Sequence, residues 1–259
     1  MKPCLRYRLP LITFFLVFIA ALHLYGCMNQ DGLFDSGSAI NGTSAINGTV
    51  VFYHFDEASG STAIDSSVNG FNGTIFGAAR DSGKVGQALQ FGSSGSRVEI
   101  PGMGSNIFQS QEITVDAWLY PTTLNPGSVY QIVGDGYYGV RCFRLQVNNG
   151  KVEFLLFDNS NNPQSIISST ASLAVNTWTY VAVTFNGSDA RIYIDGTQDS
   201  SSSIAFPIPE PYNTLDIGAQ GTISFTFSNE FPGTIDEFRI SNAVFSATQI
   251  ANYYQQTNI

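Results

Sequence analysis

Short runs in which apolar and polar residues alternate predict that most of this chain folds into β-strands. The clearest are ITVDAWLY at residues 113–120 and TWTYVAVTF at residues 177–185. Alternation with a period of two is typical of a strand that buries one of its faces. Similar runs occupy residues 50–55, 88–91, 97–100, 143–147, 152–157, 191–194, 215–217 and 234–240. Many short strands without a long amphipathic helix indicate an all-β sandwich or barrel.

Two local signals refine this prediction. Asn149 and Gly150 separate two alternating runs, and the pair favours a tight hairpin because both residues tolerate the positive φ that a type I′ turn requires. Near the end of the chain, Ser246 and Gln249 have the spacing of a capping box, which begins a helix. Three side chains then share one helical face: Ile250, Tyr253 and Tyr254. We therefore expect one short helix that packs this face on the sandwich.

The first 26 residues have the features of an export signal rather than of a folded domain. Three basic residues precede an apolar run of twelve residues at 11–22, which is short for a membrane-spanning helix. The sequence LYGC at residues 24–27 resembles the lipobox of bacterial lipoproteins, which implies cleavage before Cys27 and acylation of that cysteine. An ordinary signal peptide that ends near a cysteine, or an uncleaved N-terminal anchor, are the alternatives.

Residues 27–48 are predicted to be a flexible tether. They are rich in Gly, Ser and Asn, and a tandem repeat, SAINGT-SAINGT, occupies residues 38–49. Such a composition buries too little apolar surface to order itself. The predicted organisation is thus a signal peptide at 1–26, a tether at 27–48 and a folded domain at 49–259. We expect an exported, membrane-anchored lipoprotein, in the outer membrane or on the cell surface.

Charge and cysteine content narrow the partners of this domain. The chain has 11 basic and 20 acidic residues, for a net charge of −9. An acidic surface repels phosphate backbones, so we expect no nucleic-acid partner. If Cys27 carries lipid, Cys142 is the remaining cysteine of the mature chain and has no disulfide partner within it. Cys142 is therefore predicted to pack as a small apolar side chain.

Eight strings of sequence together resemble the concanavalin A-like, laminin-G-like family of jelly-roll domains in its bacterial form. They are VFYHFDE (51–57), GSTAIDSS (60–67), NGFNGT (69–74), GKVGQALQF (83–91), ITVDAWLYP (113–121), TWTYVAVTF (177–185), IYIDG (192–196) and FPGTIDEFRI (231–240). Their order and spacing hold from about residue 50 to residue 255. The resemblance implies a jelly-roll sandwich of two antiparallel sheets with a short C-terminal helix.

The same resemblance implies a structural calcium ion. Residues 65–73 (DSSVNGFNG) form a loop rich in oxygen donors, and calcium prefers six to eight oxygen ligands. The family resemblance nominates four ligands for Ca²⁺: Asp65, Asn69, Asn72 and Asp236. Asp56 and Glu57 are secondary candidates. The alternative is that Asp and Asn in this loop bond their own backbone in Asx-turns.

A candidate ligand site lies in the loop GDGYYG at residues 134–139. Tyr137 and Tyr138 can stack on a sugar ring there, while Asp135 or Arg141 bonds its hydroxyl groups. The alternative is that the two tyrosines cover a sheet edge. The two tryptophans, Trp118 and Trp178, are predicted to pack in the core or on the surface of a sheet rather than to bind a ligand.

No sequence motif indicates catalysis. The chain lacks the closely spaced acidic string that glycosidases of this fold carry, and a regular strand directs Asp236 and Glu237 to opposite faces. His54 is predicted to pack in the sheet rather than to serve a catalytic triad. We therefore expect a non-enzymatic binding module for a glycan or an extracellular protein. A structural protein of the cell envelope and a glycoside hydrolase with an unrecognised acid pair are the alternatives.

Overall fold

A computed structural model describes residues 48–102, 110–135, 142–158, 160, 162–204, 206–208, 214–221 and 226–259, with the backbone alone for residues 135 and 165. Within these residues, two antiparallel eight-stranded sheets form a sandwich. The predicted signal peptide, the tether up to residue 47 and the lipidation site at Cys27 lie outside the described residues. No helix in the described part of the chain is long and apolar enough to cross a membrane.

Sheet A has the strand order β14-β13-β12-β7-β18-β5-β4, and β1 also pairs with β18. Its strands are β1 (Thr49–Tyr53), β4 (Ala79–Ser82), β5 (Gln87–Gln90), β7 (Ile113–Pro121), β12 (Thr179–Phe185), β13 (Asp189–Ile194), β14 (Thr197–Ser203) and β18 (Gly233–Ser241).

Sheet B has the strand order β11-β10-β9-β8-β15-β6-β3-β2. Its strands are β2 (Thr62–Ala63), β3 (Gly73–Phe76), β6 (Arg97–Ile100), β8 (Val129–Asp135), β9 (Phe143–Asn148), β10 (Lys151–Phe157), β11 (Pro163–Ser172) and β15 (Leu215–Ile217). A separate two-stranded ribbon consists of β16 (Gln220–Gly221) and β17 (Phe227–Ser228).

The main core lies between the facing sides of the two sheets. Leu119 and Val183 contribute from sheet A, and Leu145 and Phe154 from sheet B, all at most 1% exposed. Full burial of such a side chain contributes about 1.5–3 kcal/mol. Cys142 is buried in the same cluster, which confirms its prediction as a packed side chain.

A second, smaller core lies on the outer face of sheet A, beneath helix α1 (Ala247–Thr257). Ser246 accepts a hydrogen bond from the backbone N–H of Gln249, and the Gln249 side chain accepts one from the Ser246 N–H. The predicted capping box is therefore confirmed. Ile250 and Tyr253 are buried against Trp118 of sheet A, as the helical spacing predicts.

The alternating runs are confirmed as strands, and the hairpin at Asn149 and Gly150 has positive φ at both residues, 49° and 78°. The strands that the pattern did not predict are chiefly polar or very short, with the exception of β8. Its register shifts between Gln131 and Val133, so Ile132 and Val133 are both buried and the alternation is broken. The edge strands β11 and β14 read PQSIISSTAS and TQDSSSS, and β2 has two residues. An edge strand with both faces partly exposed has no apolar face to bury, so its sequence loses the alternation.

Candidate functional site

A buried ion pair on the outer face of sheet A supports the second core. Arg239 of β18 donates two hydrogen bonds to Asp116 of β7, from Nε at 3.0 Å and from Nη2 at 2.7 Å. The Tyr180 hydroxyl donates to the same carboxylate at 2.7 Å. Burial raises the pKa of Tyr180 well above its ordinary value, and the charge of Asp116 raises it further. All three residues are at most 2% exposed, so this group is enclosed architecture rather than a ligand site.

A second buried carboxylate, Glu237, ties β1 to the helix. Its Oε1 lies 2.6 Å from His54 Nδ1, and its Oε2 accepts a hydrogen bond from the Tyr253 hydroxyl at 2.5 Å. His54 is therefore part of the packed sheet, as predicted, with 20% of its side chain exposed.

The prediction that Asp236 and Glu237 point to opposite faces is wrong. The register of β18 with β7 shifts between Asp236 and Arg239, and Glu237 has a φ of 50°. Such a β-bulge breaks the strict alternation of side chains. Asp236 pairs with Trp118, and Glu237 contacts Tyr253, so both residues belong to the helix-covered side of sheet A. Asp236 is 0% exposed, which leaves this acid pair out of reach of a substrate.

The loop nominated for calcium is organised by hydrogen bonds to Asp65. One carboxylate oxygen accepts from the N–H groups of Phe52 and Ser67, both at 2.9 Å. The other accepts from the Ser67 hydroxyl at 2.7 Å and from the Phe71 N–H at 2.8 Å. Both oxygens are thus occupied by internal donors, which is the Asx-turn arrangement.

The two asparagines of this loop are also engaged. Asn72 Oδ1 accepts from the Asp65 N–H at 2.9 Å, and the Asn69 amide donates to the carbonyls of Thr49 and Val50. The loop residues of the predicted set therefore do not offer calcium an open group of oxygens. Among the described residues, no three His, Cys, Asp or Glu side chains cluster as metal ligands.

Asp236, the fourth nominated ligand, meets a different turn. Its Oδ2 accepts from the Val85 N–H at 2.9 Å, and the nearby Asp56 Oδ1 accepts from the Gln87 N–H at 2.7 Å. Burial raises the pKa of Asp236 to about 8, and the charge of Glu237 adds to this, against the lowering effect of backbone hydrogen bonds such as that from Val85. A side chain at Gly83 would place its Cβ 2.6 Å from Asp236 Oδ2. The turn of residues 83–87 thus donates N–H groups to two carboxylates, and the Glu237 N–H donates to the other oxygen of Asp236 at 2.8 Å. A cation at this turn would have to compete with these internal donors, as it would in the 65–73 loop.

Glu57, the other secondary candidate, has a structural role. Its Oε2 pairs with Arg80 Nη1 at 2.7 Å, and its Oε1 accepts from the Ile64 N–H. Arg80 also donates to the backbone carbonyls of Phe55 and Thr62, so the pair closes the edge of the sandwich where β4 and β2 lie.

The predicted ligand loop falls mostly outside the described residues. The backbone of Asp135 ends β8, and its side chain is not described. Tyr137, Tyr138 and Arg141 lie outside the described part of the chain. Their proposed contact with a sugar stays a prediction.

The outer face of sheet B carries a row of polar side chains that the sequence did not predict. Gln131 of β8 pairs with Gln146 of β9, which pairs with Glu153 of β10 and then Ser168 of β11. Paired residues project from the same face of a sheet, so these four side chains form one row across four strands. We name three members of this row, Gln131, Gln146 and Glu153, together with Asn148, which lies two residues further along β9 and bonds Glu153, the amide row.

Hydrogen bonds within the amide row fix the direction of its oxygens. Glu153 accepts from the Gln146 amide at 2.8 Å and from the Asn148 amide at 3.1 Å. The Gln131 amide donates to the carbonyls of Asp216 and Ala219. Gln131 and Gln146 are 1% and 5% exposed, and their Oε1 atoms accept no hydrogen bond from the described residues. Two buried acceptors thus face a donor that the described chain does not supply.

One end of the same face is closed by Arg97. Its guanidinium carbon lies 3.9 Å and 3.8 Å from the ring centroids of Phe76 and Phe227, so the cation is stacked between two rings. Arg97 Nη2 also lies 3.7 Å from Glu99 Oε2, and Arg97 Nε lies 3.8 Å from Asp216 Oδ1. Arg97 therefore lies between two carboxylates, and the stack attaches β17 to sheet B.

A surface cavity of about 360 Å³ opens at one end of the sandwich. Its lining is mainly aliphatic, from Leu124, Pro126, Leu173 and Val175. Asn149, the amide on its rim, already accepts from the Gly127 N–H and donates to Asn148. The cavity therefore offers few groups that can orient a polar ligand.

The fold is shared with several bacterial toxin domains of known structure. The binding domain of Paraclostridial Mosquitocidal Protein 1 superposes with a TM-score of 0.64 at 15% identity, over 81% of this chain and 52% of that chain. The botulinum neurotoxin serotype G binding domain gives 0.62 at 16%, over 80% and 51%. The receptor binding domain of botulinum neurotoxin D gives 0.60 at 19%, over 81% and 52%. The chain spans about half the length of these structures, and identities this low establish the fold alone.

Sequence comparison gives the family directly. No curated protein matches the sequence significantly. Residues 91–251, more than half of the chain, match the family model described as the concanavalin A-like lectin/glucanases superfamily. Together with the two-sheet sandwich, this match confirms the predicted jelly-roll fold. The chain therefore belongs to the concanavalin A-like lectin/glucanases superfamily.

Proposed function

We propose that this protein is a lipid-anchored binding module that recognises a glycan on the outer face of sheet B. The observation that carries the proposal is the partly exposed pair Asn148 and Glu153 of the amide row, which lies beside two buried amide oxygens, Gln131 Oε1 and Gln146 Oε1, that accept no hydrogen bond from the described residues. A ligand that supplies hydroxyl donors can reach the partly exposed Glu153, and the Gln146 amide holds that carboxylate in place at 2.8 Å.

The chemistry of the amide row selects the class of ligand. Two amide oxygens and the partly exposed carboxylate of Glu153 are acceptors, and sugar hydroxyl groups are donors. The net charge of −9 disfavours a strongly anionic ligand. A neutral, hydroxyl-rich chain therefore fits this face best.

The structural neighbours support a binding role rather than a catalytic one. Those compared above are described as binding or receptor binding domains. Sheet B has one carboxylate in the amide row, Glu153, and both of its oxygens accept hydrogen bonds from neighbouring amides. This arrangement does not supply the acid and base pair that glycoside hydrolysis requires. An extracellular protein is the second candidate ligand, which the term "receptor binding" in the neighbours supports.

A glycan array probed with the chain from residue 28 onwards tests this proposal. We expect binding to at least one neutral glycan, and at least a tenfold loss of affinity in Gln146→Ala, which is a loss of about 1.4 kcal/mol. Gln198→Ala is the matched control, because Gln198 is an exposed residue of β14 on the other sheet. Binding that is equal in Gln146→Ala and wild type would place the ligand elsewhere. Absence of any glycan ligand would favour the extracellular protein or an envelope structural role.

The lipid anchor is part of the proposal and has its own test. The LYGC string at residues 24–27 supports acylation of Cys27. Cells that express the full chain with labelled palmitate should incorporate label into the protein and retain it in the membrane fraction. In Cys27→Ala, we expect both the label and the membrane retention to be lost. Retention without label would indicate an uncleaved N-terminal anchor.

We also propose that a structural calcium ion, where present, is held at the turn of residues 83–87. Asp236 and Asp56 both accept N–H groups of this turn, and the pKa of Asp236 is raised to about 8 by burial. A cation beside a buried carboxylate offsets the cost of its charge. The ion would stabilise the junction of β5 with β18 and take no part in ligand chemistry.

A further inference from the structure

We propose a second glycan-binding surface on the opposite side of the sandwich, built on Tyr120 and Trp178 of sheet A. This inference shares the ligand class of the proposed function but rests on different residues and a different sheet. We name Tyr120, Trp178, Gln90 and Asp81 the aromatic row.

The two rings form an adjacent pair on the outer face of sheet A. Tyr120 lies in β7, and Trp178 immediately precedes β12, opposite Tyr120 in the register. Their ring centroids are 5.3 Å apart at an interplanar angle of 49°. Both side chains are partly exposed. Large aromatic rings with one accessible side are the usual apolar component of a ligand site.

Polar groups continue the row on the neighbouring strands. Tyr120 pairs with Thr234 of β18, and Thr234 pairs with Gln90 of β5. Gln90 is exposed, as is Asp81 of β4, whose carboxylate lies 3.4 Å from the Thr234 hydroxyl. Adjacent strands lie about 4.8 Å apart, so the row from β12 to β4 extends over about 19 Å. Two rings and an amide thus line one row, and the carboxylate of Asp81 flanks it, because Gln90 pairs with Ala79 and Asp81 pairs with Ala88.

Helix α1 covers the neighbouring row but not this one. Trp118, two residues before Tyr120, is 1% exposed and donates its indole N–H to Thr257 in the last turn of the helix. The second core therefore ends at Trp118, and the Tyr120–Trp178 pair lies at its margin. The two tryptophans of the chain occupy equivalent faces, yet only Trp178 has access to solvent.

The position of the pair also suits a tethered domain. The chain enters sheet A at Thr49, which pairs with Ser241, and Ser241 pairs with Thr114 of β7. Tyr120 is six residues further along β7 than Thr114, which corresponds to about 20 Å. The pair thus lies at the end of sheet A far from Thr49, the residue with which the described sheet begins after the predicted tether.

A neutral carbohydrate chain is the occupant that this surface fits. The rings offer apolar faces for the C–H groups of a sugar, while Gln90 and Asp81 can bond its hydroxyl groups. The negative charge of Asp81 and the acidic chain disfavour an anionic ligand. A flat row with one amide and one carboxylate also lacks the deep apolar pocket that anchors most protein partners.

Tryptophan fluorescence reports on this surface directly, because the chain has two tryptophans and one of them is buried. The chain from residue 28 onwards is titrated with laminarin, mannan and hydroxyethyl cellulose while acrylamide quenches the exposed indole. We expect a polysaccharide that binds to lower the quenching constant at least twofold. The residual quenching should then resemble that of Trp178→Phe, which retains the buried Trp118 alone.

Affinity electrophoresis in gels that contain the same polysaccharides separates this surface from the amide row. We expect Trp178→Ala and Tyr120→Ala to lose at least tenfold in retardation affinity, and Trp178→Phe to lose less than threefold, because a ring remains. Phe76→Ala, at a partly exposed ring of sheet B, is the matched control and should keep the retardation. Circular dichroism melting of every variant confirms that it is folded.

The outcomes distinguish the two surfaces. Loss in Trp178→Ala with retention in Gln146→Ala supports the aromatic row and leaves the proposed sheet B site without support. Retention in Trp178→Ala and Tyr120→Ala with loss in Gln146→Ala overturns the inference while the proposed function stands. Failure of the wild-type chain to bind any of the three polysaccharides also overturns it, and an array ligand bound through Gln146 would then identify sheet B as the sole glycan surface.

Discussion

The outer faces of the two sheets differ in whether their buried polar groups have hydrogen-bond partners. Beneath helix α1, the buried charges of sheet A find partners within the fold: Arg239 bonds Asp116 through two nitrogens, and Glu237 bonds Tyr253 and lies beside His54. On sheet B, Gln131 and Gln146 are buried to a similar degree but leave amide oxygens without a donor among the described residues.

This difference distinguishes a face with a structural role from a face proposed to bind a ligand. Burial of a charge is costly unless it is paired, so the charges of sheet A are compatible with a stable domain only because the helix completes their network. An amide oxygen costs less to leave without a donor, so the domain tolerates two of them beside the partly exposed Glu153. Three buried hydroxyl groups of sheet A, those of Thr184, Ser200 and Ser241, also lack partners among the described residues, so the contrast concerns the ion pair and the amides.

The largest expected effect comes from the ion pair beneath the helix. Asp116→Ala leaves the Arg239 guanidinium buried without its carboxylate, which should lower the free energy of unfolding by about 3–5 kcal/mol. Urea denaturation followed by circular dichroism measures this loss. The double variant Asp116→Ala, Arg239→Met removes both charges and should recover part of the stability. A double variant whose loss of stability equals the sum of the two single losses would show that Asp116 and Arg239 do not stabilise each other through their charges.

The sequence predicted the parts of the fold that follow from local pattern. Alternation identified strands that bury one face, and the Ser246 and Gln249 spacing identified the helix. It did not predict the edge strands β11 and β14, because their exposed serines carry no pattern. The bulge at Glu237 was also missed, since a single residue with positive φ inside a strand leaves no mark in composition.

The candidate sites were harder to predict than the fold because they depend on contacts across strands. Gln131 and Gln146 are fifteen positions apart in sequence, and their relation appears only once β8 pairs with β9. Trp118 and Trp178 have similar sequence surroundings, and what distinguishes them is the end of the helix at Thr257. The loop of Asp65 shows the reverse case, in which a convincing set of calcium donors is occupied by hydrogen bonds to its own backbone.

The second prediction concerns how the stability of the domain depends on pH through Asp236. The pKa of Asp236 is raised from 3.8 to about 8 by burial, so the folded state binds one more proton than the unfolded state between these values. Stability should therefore fall as the pH rises from 3.8 towards 8, when measured as melting temperature in EDTA. Asp236→Asn should flatten this dependence, because the side chain no longer ionises.

Calcium gives the same experiment a second readout. An ion at the 83–87 turn favours the ionised carboxylate, so calcium should raise the melting temperature most at the upper end of this pH range. Asp236→Asn should abolish the calcium response, and Asp65→Asn should lower stability while leaving the response intact. A response that disappears in Asp65→Asn but persists in Asp236→Asn would place the ion in the 65–73 loop instead.

A smaller effect tests how the helix completes the network of sheet A. Tyr253→Phe keeps the ring that packs on Tyr180 but removes the hydroxyl that donates to Glu237. A buried carboxylate that loses one donor should cost about 1–3 kcal/mol of unfolding free energy. Tyr254→Phe is the matched control, because the Tyr254 hydroxyl bonds only the exposed Asn258 among the described residues. Equal losses of unfolding free energy in the two variants would mean that the hydrogen bond from Tyr253 to Glu237 does not contribute to stability.

The smallest change in stability is expected for a substitution in the amide row of sheet B. Gln146→Leu replaces the amide by an apolar group of similar size, which removes an oxygen that lacks a donor and also one hydrogen bond to Glu153. These two effects oppose each other, so unfolding free energy should change by less than about 1 kcal/mol. Glycan affinity in the same variant should fall at least tenfold. On sheet A, by contrast, removal of one polar partner should cost stability first, and a large loss of stability in Gln146→Leu would mean that the amide row is architecture like the network beneath the helix.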